Sequence, residues 1–198
     1  MCNQPGCCRA AITPYTRRWV PTEMSEIERK TRKKKAGVFV YDPARDKLLL
    51  VQSCGRFWGP PKGSMEVGED IQSTAARELM EETGVSVHRD ELTQRLYLRN
   101  CSHYYFFHTM PETVPQVIHT NDPNGNDANS VGWFSVACLK SRLEEGKMIA
   151  NSALKQFLNS NVLEKVLAAR IAHAENHKQA DEAEEDKEKE GAAASSSG

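Results

Sequence analysis

The stretch from Gly63 to Val85, GSMEVGEDIQSTAARELMEETGV, constrains this 198-residue chain more than any other part of it. Asp70 is suited to cap a helix, and Gly84 stands where a left-handed C-terminal residue belongs, so Ile71–Thr83 is predicted helical. On that helix Glu78, Glu81 and Glu82 share one face, being three and four residues apart. Three like charges this close destabilise an isolated helix and should raise one another's pKa values. A divalent cation removes that penalty, and Mg²⁺ takes hard oxygen ligands in sites it shares with substrate phosphates. The apolar residues Ile71, Ala75 and Leu79 lie about a quarter-turn away. One face of the helix can therefore pack while the glutamate face looks into a cleft.

Written out, the pattern is Gly63, five residues, Glu69, seven residues, Arg77-Glu78-Leu79, one residue, Glu81-Glu82, one residue, and Gly84-Val85. With each residue type at about one in fifteen, a chance match in a chain of this length is on the order of one in ten million. The pattern resembles the Nudix box. The resemblance implies an α/β fold, a Nudix-type α/β/α sandwich with a mixed sheet. It also implies a pyrophosphohydrolase that cleaves nucleoside diphosphates linked to another moiety by water attack at phosphorus, with Mg²⁺ or Mn²⁺ as cofactor. Carried onto this chain, Glu78, Glu81, Glu82 and the backbone carbonyl of Gly63 would bind metal. Arg77 would complete the catalytic set by holding the carboxylates in place, with Glu69 and Gly84 chiefly structural. The general base is Glu81 or Glu82, or an acid ahead of the sequence VGWF such as Asp122 or Asp127.

Composition divides the rest of the chain. Residues 1–35 are polar and basic, with six cations between Arg29 and Lys35, and are expected to form a flexible arm. Residues 36–172 carry the strand and helix patterning and are expected to form the hydrolase domain. Residues 173–198 form an acidic stretch that cannot bury enough apolar surface to order itself. Val38–Tyr41 and Leu48–Val51 read as a hairpin around DPARDK, and Arg95–Asn100 with His103–Thr109 read as paired strands. Val131–Val136 reads as a further strand, and Ala150–Leu158 and Val162–Ile171 as helices. No apolar run reaches the roughly 18 residues needed to span a bilayer. Nor is there an apolar segment of the secretory type near residue 1, so a cytoplasmic or nuclear location is expected. Under those reducing conditions the six cysteines are not expected to form a disulfide framework. The group Cys2, Cys7 and Cys8 has no nearby histidine, and a zinc site is not expected there.

The residues leading into the box bear on substrate. Trp58-Gly-Pro-Pro-Lys62-Gly63 is similar to animal-type diadenosine tetraphosphate hydrolases, and Pro-Lys-Gly also occurs in mRNA-decapping Nudix enzymes. The leading expectation is hydrolysis of a dinucleoside polyphosphate such as diadenosine tetraphosphate. The alternatives are 5′ cap hydrolysis, with RNA contacted by the basic segment 29–35, and a diphosphoinositol polyphosphate substrate. Lys62 is a candidate phosphate contact. Phe57, Trp58, Tyr104, Tyr105, Phe106 and Trp133 are candidates for stacking on a base, with Trp58, Tyr104 and Tyr105 favoured. His103 and His108 read as satisfied polar residues rather than catalysts.

Overall fold

A computed structural model of the chain describes residues 7–12, 34–99, 101–116, 128–159 and 161–168. It divides into two compact units, residues 1–156 and 157–198. The first unit is built on one mixed sheet. Its strands are β1 (Cys8–Ile12), β2 (Lys35–Asp42), β3 (Lys47–Ser53), β4 (Phe57–Gly59), β5 (Lys62–Ser64), β6 (Gln94–Leu96), β7 (Tyr104–Thr109), β8 (Ala128–Ser135) and β9 (Ile149–Ala150). Helices α1 (Ile71–Thr83), α2 (Val136–Glu144) and α3 (Ser152–Asn159) accompany it. The described part of the second unit is the end of α3 and a helical stretch at 162–168, in which Lys165 N donates to Asn161 O (3.0 Å).

The sheet order is β1-β8-β3-β2-β7-β6, antiparallel except for the β2–β7 pair. The hairpin around DPARDK forms as its turn chemistry predicts, with Asp42 accepting from Ala44 N (2.9 Å). Beyond Leu49 and Val40 the two strands part company: β3 goes on to pair with β4, whereas the start of β2 pairs with β5. The sheet therefore forks, and Gly59-Pro60-Pro61-Lys62 runs across the fork. Pro60 and Pro61 are buried there, which costs little because proline has no N–H to leave unsatisfied.

Strand alternation sorts the apolar residues onto two faces. Val38, Val40, Leu49, Val51, Phe106, Val131 and Trp133 form one core with Ala75 and Leu79 of α1. Phe39, Tyr41, Leu48, Leu50, Tyr105, Phe107 and Phe134 alternate with them and are buried on the other face. Leu139 of α2 is fully buried as well. No described helix is long and apolar enough to cross a membrane.

Several elements depart from the sequence expectations. Cys8–Ile12 falls within the segment expected to be a flexible arm, yet it pairs with β8 from Cys8↔Phe134 to Ile12↔Ser130. Five mixed residues give too short an alternation to stand out as a strand. Val136, expected to end a strand, instead begins α2: Ser135 caps the helix and accepts from Cys138 N (3.2 Å). Of the described residues in the expected strand 95–100, only Arg95 and Leu96 are in the sheet, within β6 (Gln94–Leu96). Ala150 belongs to β9, and α3 starts after Asn151, whose Oδ1 accepts from Leu154 N (2.9 Å). The rest of the basic arm, the acidic stretch from 173 and Asp122 and Asp127 lie outside the described residues.

Candidate active site

Helix α1 places the charged residues, and its ends are fixed locally. Asp70 Oδ1 accepts from Ser73 N at 2.7 Å, and Gly84, at φ 74°, donates to Met80 O. With Ala75 and Leu79 locked into the core, helical spacing directs Glu78 and Glu82 toward β5. Glu82 is buried, and its Oε2 accepts from Lys62 N (2.8 Å). The Glu78 side chain is 12% exposed and that of Glu81 is 42% exposed.

Arg77 is the hub of the site. Nε and Nη2 donate to the two oxygens of Glu69 (2.7 and 3.0 Å), a bidentate pair. Nη1 reaches Glu78 Oε1 (3.0 Å) and Glu81 Oε2 (2.8 Å), and Nη2 also donates to Ser64 O (2.9 Å). The guanidinium thus ties helix α1 to β5 while setting two of the three glutamates. Glu69 accepts further from Glu66 N and Thr74 Oγ1. Its carboxyl is held down to about 2, chiefly by the Arg77 hydrogen bond.

The raised pKa values expected for the glutamates are found at two of them, with a different leading cause. Burial pushes Glu82 up to about 8, and burial also raises Glu78; repulsion between the two adds a smaller part to Glu82. Lys62 and Lys35 oppose the rise at Glu82, and Arg77 and Lys35 oppose it at Glu78. A buried carboxylate beside a half-buried one is costly as a pair of anions, and a bound cation relieves that cost. Gly63 fits the same reading. A side chain at Gly63 would overlap the Glu78 carboxylate, so only bare backbone can stand there. Hard oxygen donors around such a cradle suit Mg²⁺ or Mn²⁺.

The aromatic candidates separate. Tyr105 is 1% exposed and packs on Phe39 (ring centroids 5.4 Å apart), so it is a core residue and not a stacking surface. Phe106 and Trp133 are likewise core. Tyr104 is half-buried, with the Arg95 guanidinium 4.6 Å over its ring. Trp58 meets Phe134 edge-on (4.8 Å) and lines a cavity of about 160 Å³ with Ile12, Gln52, Phe134, Arg142 and Met148. Arg142 Nε is buried and lacks a partner among the described residues. Sequence reasoning did not find this cavity, since its walls come from β1, β3, β4, β8, α2 and the segment just after α2. It also counted Lys35 with the basic arm, although Lys35 opens β2 and its charge acts on both Glu78 and Glu82.

A family model described as the NUDIX domain matches residues 31–156. A putative hydrolase, 111R, of Invertebrate iridescent virus 3 is 38% identical over 141 residues, covering 69% of this chain and 77% of that protein. The m7GpppN-mRNA hydrolase dcap-2 of Caenorhabditis elegans is 27% identical over 107 residues, or 50% of this chain and only 13% of the decapping enzyme. Among solved structures, a C. elegans Ap4A hydrolase binary complex matches at a TM-score of 0.47 and 21% identity, covering 69% of this chain and 99% of that one. With its box, its arginine-centred carboxylates and a family model matched over most of its length, this chain belongs to the Nudix hydrolase family.

Proposed function

We propose that this Nudix hydrolase cleaves a phosphoanhydride bond in a nucleoside polyphosphate, with dinucleoside tetraphosphates such as diadenosine tetraphosphate as the substrate class. The observation that carries the reading is the segment Trp58–Gly63. One end forms a wall of the aromatic-lined cavity, and the other sets Lys62 and Gly63 against the buried glutamates. Five residues of extended chain reach at most about 17 Å, which leaves room for a nucleoside joined to several phosphates.

Glu78, Glu81, Glu82 and the Gly63 carbonyl would hold Mg²⁺ or Mn²⁺, which supplies charge neutralisation at phosphorus and an acidified water. The chain's own residues do the rest. Arg77 fixes the carboxylates before substrate arrives, so little reorganisation remains for the chemical step. Lys62 and Lys35 offset phosphate charge at the fork. Glu81, the most exposed of the three glutamates, would take a proton from water, although its Oε2, like Glu82 Oε2, already accepts a hydrogen bond. Trp58 and Phe134 offer the nucleoside an apolar wall, and the buried Nε of Arg142 offers it a donor.

A second reading, hydrolysis at an RNA 5′ end, is favoured by two relatives. They are the decapping enzyme and an RNA pyrophosphohydrolase of Dinoroseobacter shibae, 38% identical over 60 residues, or 30% of this chain and 34% of that protein. Mass spectrometry of products separates the two. Incubated with Mg²⁺, the protein should release ATP and AMP from diadenosine tetraphosphate and leave capped RNA intact. Release of the capped nucleotide as a diphosphate, with the dinucleotide untouched, would replace the first reading by the second. A diphosphoinositol phosphate, run in parallel, should remain uncut.

A further inference from the structure

Away from the glutamates, the fold brings Cys138 beside the adjacent pair Cys7 and Cys8, which lie far from it in the chain. Cys8 begins the edge strand β1, Cys7 directly precedes it, and Cys138 lies in the first turn of α2. Their sulfur atoms lie within 4.8 Å of one another, with Cys7 and Cys8 Sγ 3.6 Å apart. All three are half-buried. We propose that Cys7, Cys8 and Cys138 form a three-thiolate site for a soft d¹⁰ cation of the Zn²⁺ class, clipping β1 to α2.

The spacing suits such an ion. Tetrahedral zinc with Zn–S bonds of ~2.3 Å holds its sulfurs ~3.8 Å apart, so an ion can enter with shifts of about an ångström or less. The backbone on both sides is already fixed. Cys8 pairs with Phe134 in the sheet, and Ser135 Oγ both accepts from Cys138 N and contacts Cys7 Sγ (3.2 Å each). The N-terminal turn of α2 adds a field that favours the negative charge of a metal–thiolate group. No carboxylate or imidazole belongs to the group, so its softness selects against Mg²⁺ and Mn²⁺. The chain would then hold two metal sites of opposite chemical preference. A thiol must lose its proton to ligate, so cation binding releases protons. A disulfide would join only two of the three sulfurs and would require an oxidant and a sulfur–sulfur distance of ~2.05 Å.

The test uses the full chain, reduced and stripped of metal, titrated with Cd²⁺ at constant mildly alkaline pH in excess Mg²⁺. We expect a thiolate-to-metal charge-transfer band saturating at one equivalent, protection of three thiols from alkylation, and displacement of Cd²⁺ by Zn²⁺ in competition. Cys138→Ser should weaken binding by on the order of 100-fold and leave Mg²⁺-dependent hydrolysis unchanged. Cys54→Ser and Cys101→Ser should alter neither. Absence of a stoichiometric band, a band indifferent to Cys138→Ser, or a disulfide within the trio in protein kept under reductant would each overturn the proposal. X-ray absorption of the zinc-loaded wild type serves if Cys138→Ser does not fold: a shell of three sulfurs supports the site, and a shell of nitrogen and oxygen overturns it.

Discussion

Replacing Glu82 by glutamine tests the physical basis of the metal site without any substrate. The amide oxygen can still accept from Lys62 N, so the fork stays tied while the buried charge is removed. In the metal-free fold the Glu82 carboxyl is raised from 4.5 to about 8. A carboxyl raised on folding binds its proton more tightly in the native state. Its contribution to stability is complete below pH 4.5 and is lost as pH rises from there toward 8. At about 1.36 kcal/mol per unit, the loss approaches 5 kcal/mol at full ionisation. Local opening that lets water reach the carboxylate reduces it, leaving about 2 kcal/mol as the smallest effect expected. Urea unfolding in chelator at about pH 5 and about pH 8.5 gives the numbers by linear extrapolation. Wild type and Glu82→Gln should be close at the lower pH, and the variant should be the more stable by about 2–5 kcal/mol at the higher. Added Mg²⁺ should then stabilise the wild type by mass action and barely affect the variant. Hydrolysis by Glu82→Gln should be all but abolished. Parallel stabilities across pH would refute the buried charge, and an unaltered rate would refute the metal assignment.

Gly63→Ala places a methyl group on the Glu78 carboxylate and should lower kcat on the order of 100-fold at saturating Mg²⁺; steady-state kinetics checks this, and a wild-type rate counts against the cradle. Arg77→Lys keeps the charge but loses the fork that holds Glu69, Glu78, Glu81 and Ser64 O, and should cost about 2–3 kcal/mol in urea unfolding and raise the Mg²⁺ concentration for half-maximal activity. Glu69, held down to about 2, contributes stability that is present above pH 4.5 and lost as pH falls toward 2, up to about 3 kcal/mol. Acid titration of Glu69→Gln beside the wild type should therefore show a shallower acid limb for the variant, and equal slopes would contradict the assignment.

The parts of the molecule legible in the sequence are those set by local spacing. Asp70 and Gly84 bound α1 where the text places them, and Ala75 and Leu79 bury as their period requires. DPARDK turns β2 into β3. What stayed hidden depends on partners distant in the chain. Tyr104 and Tyr105 are neighbours in one aromatic run, and only the sheet decides that the ring of Tyr105 is sealed against Phe39. Strands β4 and β5 have three residues each, too few for an alternation to declare itself, and they exist because the parting of β2 and β3 leaves edges to pair with. Glu82 looks like one member of an exposed acidic trio until its carboxylate is seen accepting from the Lys62 backbone.

The pairing of β1 with β8 has a consequence for how the chain is made. Cys8 lies opposite Phe134 and Ile12 opposite Ser130. At roughly 5–20 residues per second, β8 leaves the ribosome some ten seconds or so after β1. For that interval β1 has no partner in this register, while β2 to β5 and α1 have already emerged with one another within reach. The glutamate cluster and its arginine can assemble early from one contiguous stretch, whereas the sheet edge that carries the cysteines closes among the last steps. The first of the described strands along the chain is thus among the last to find its partner.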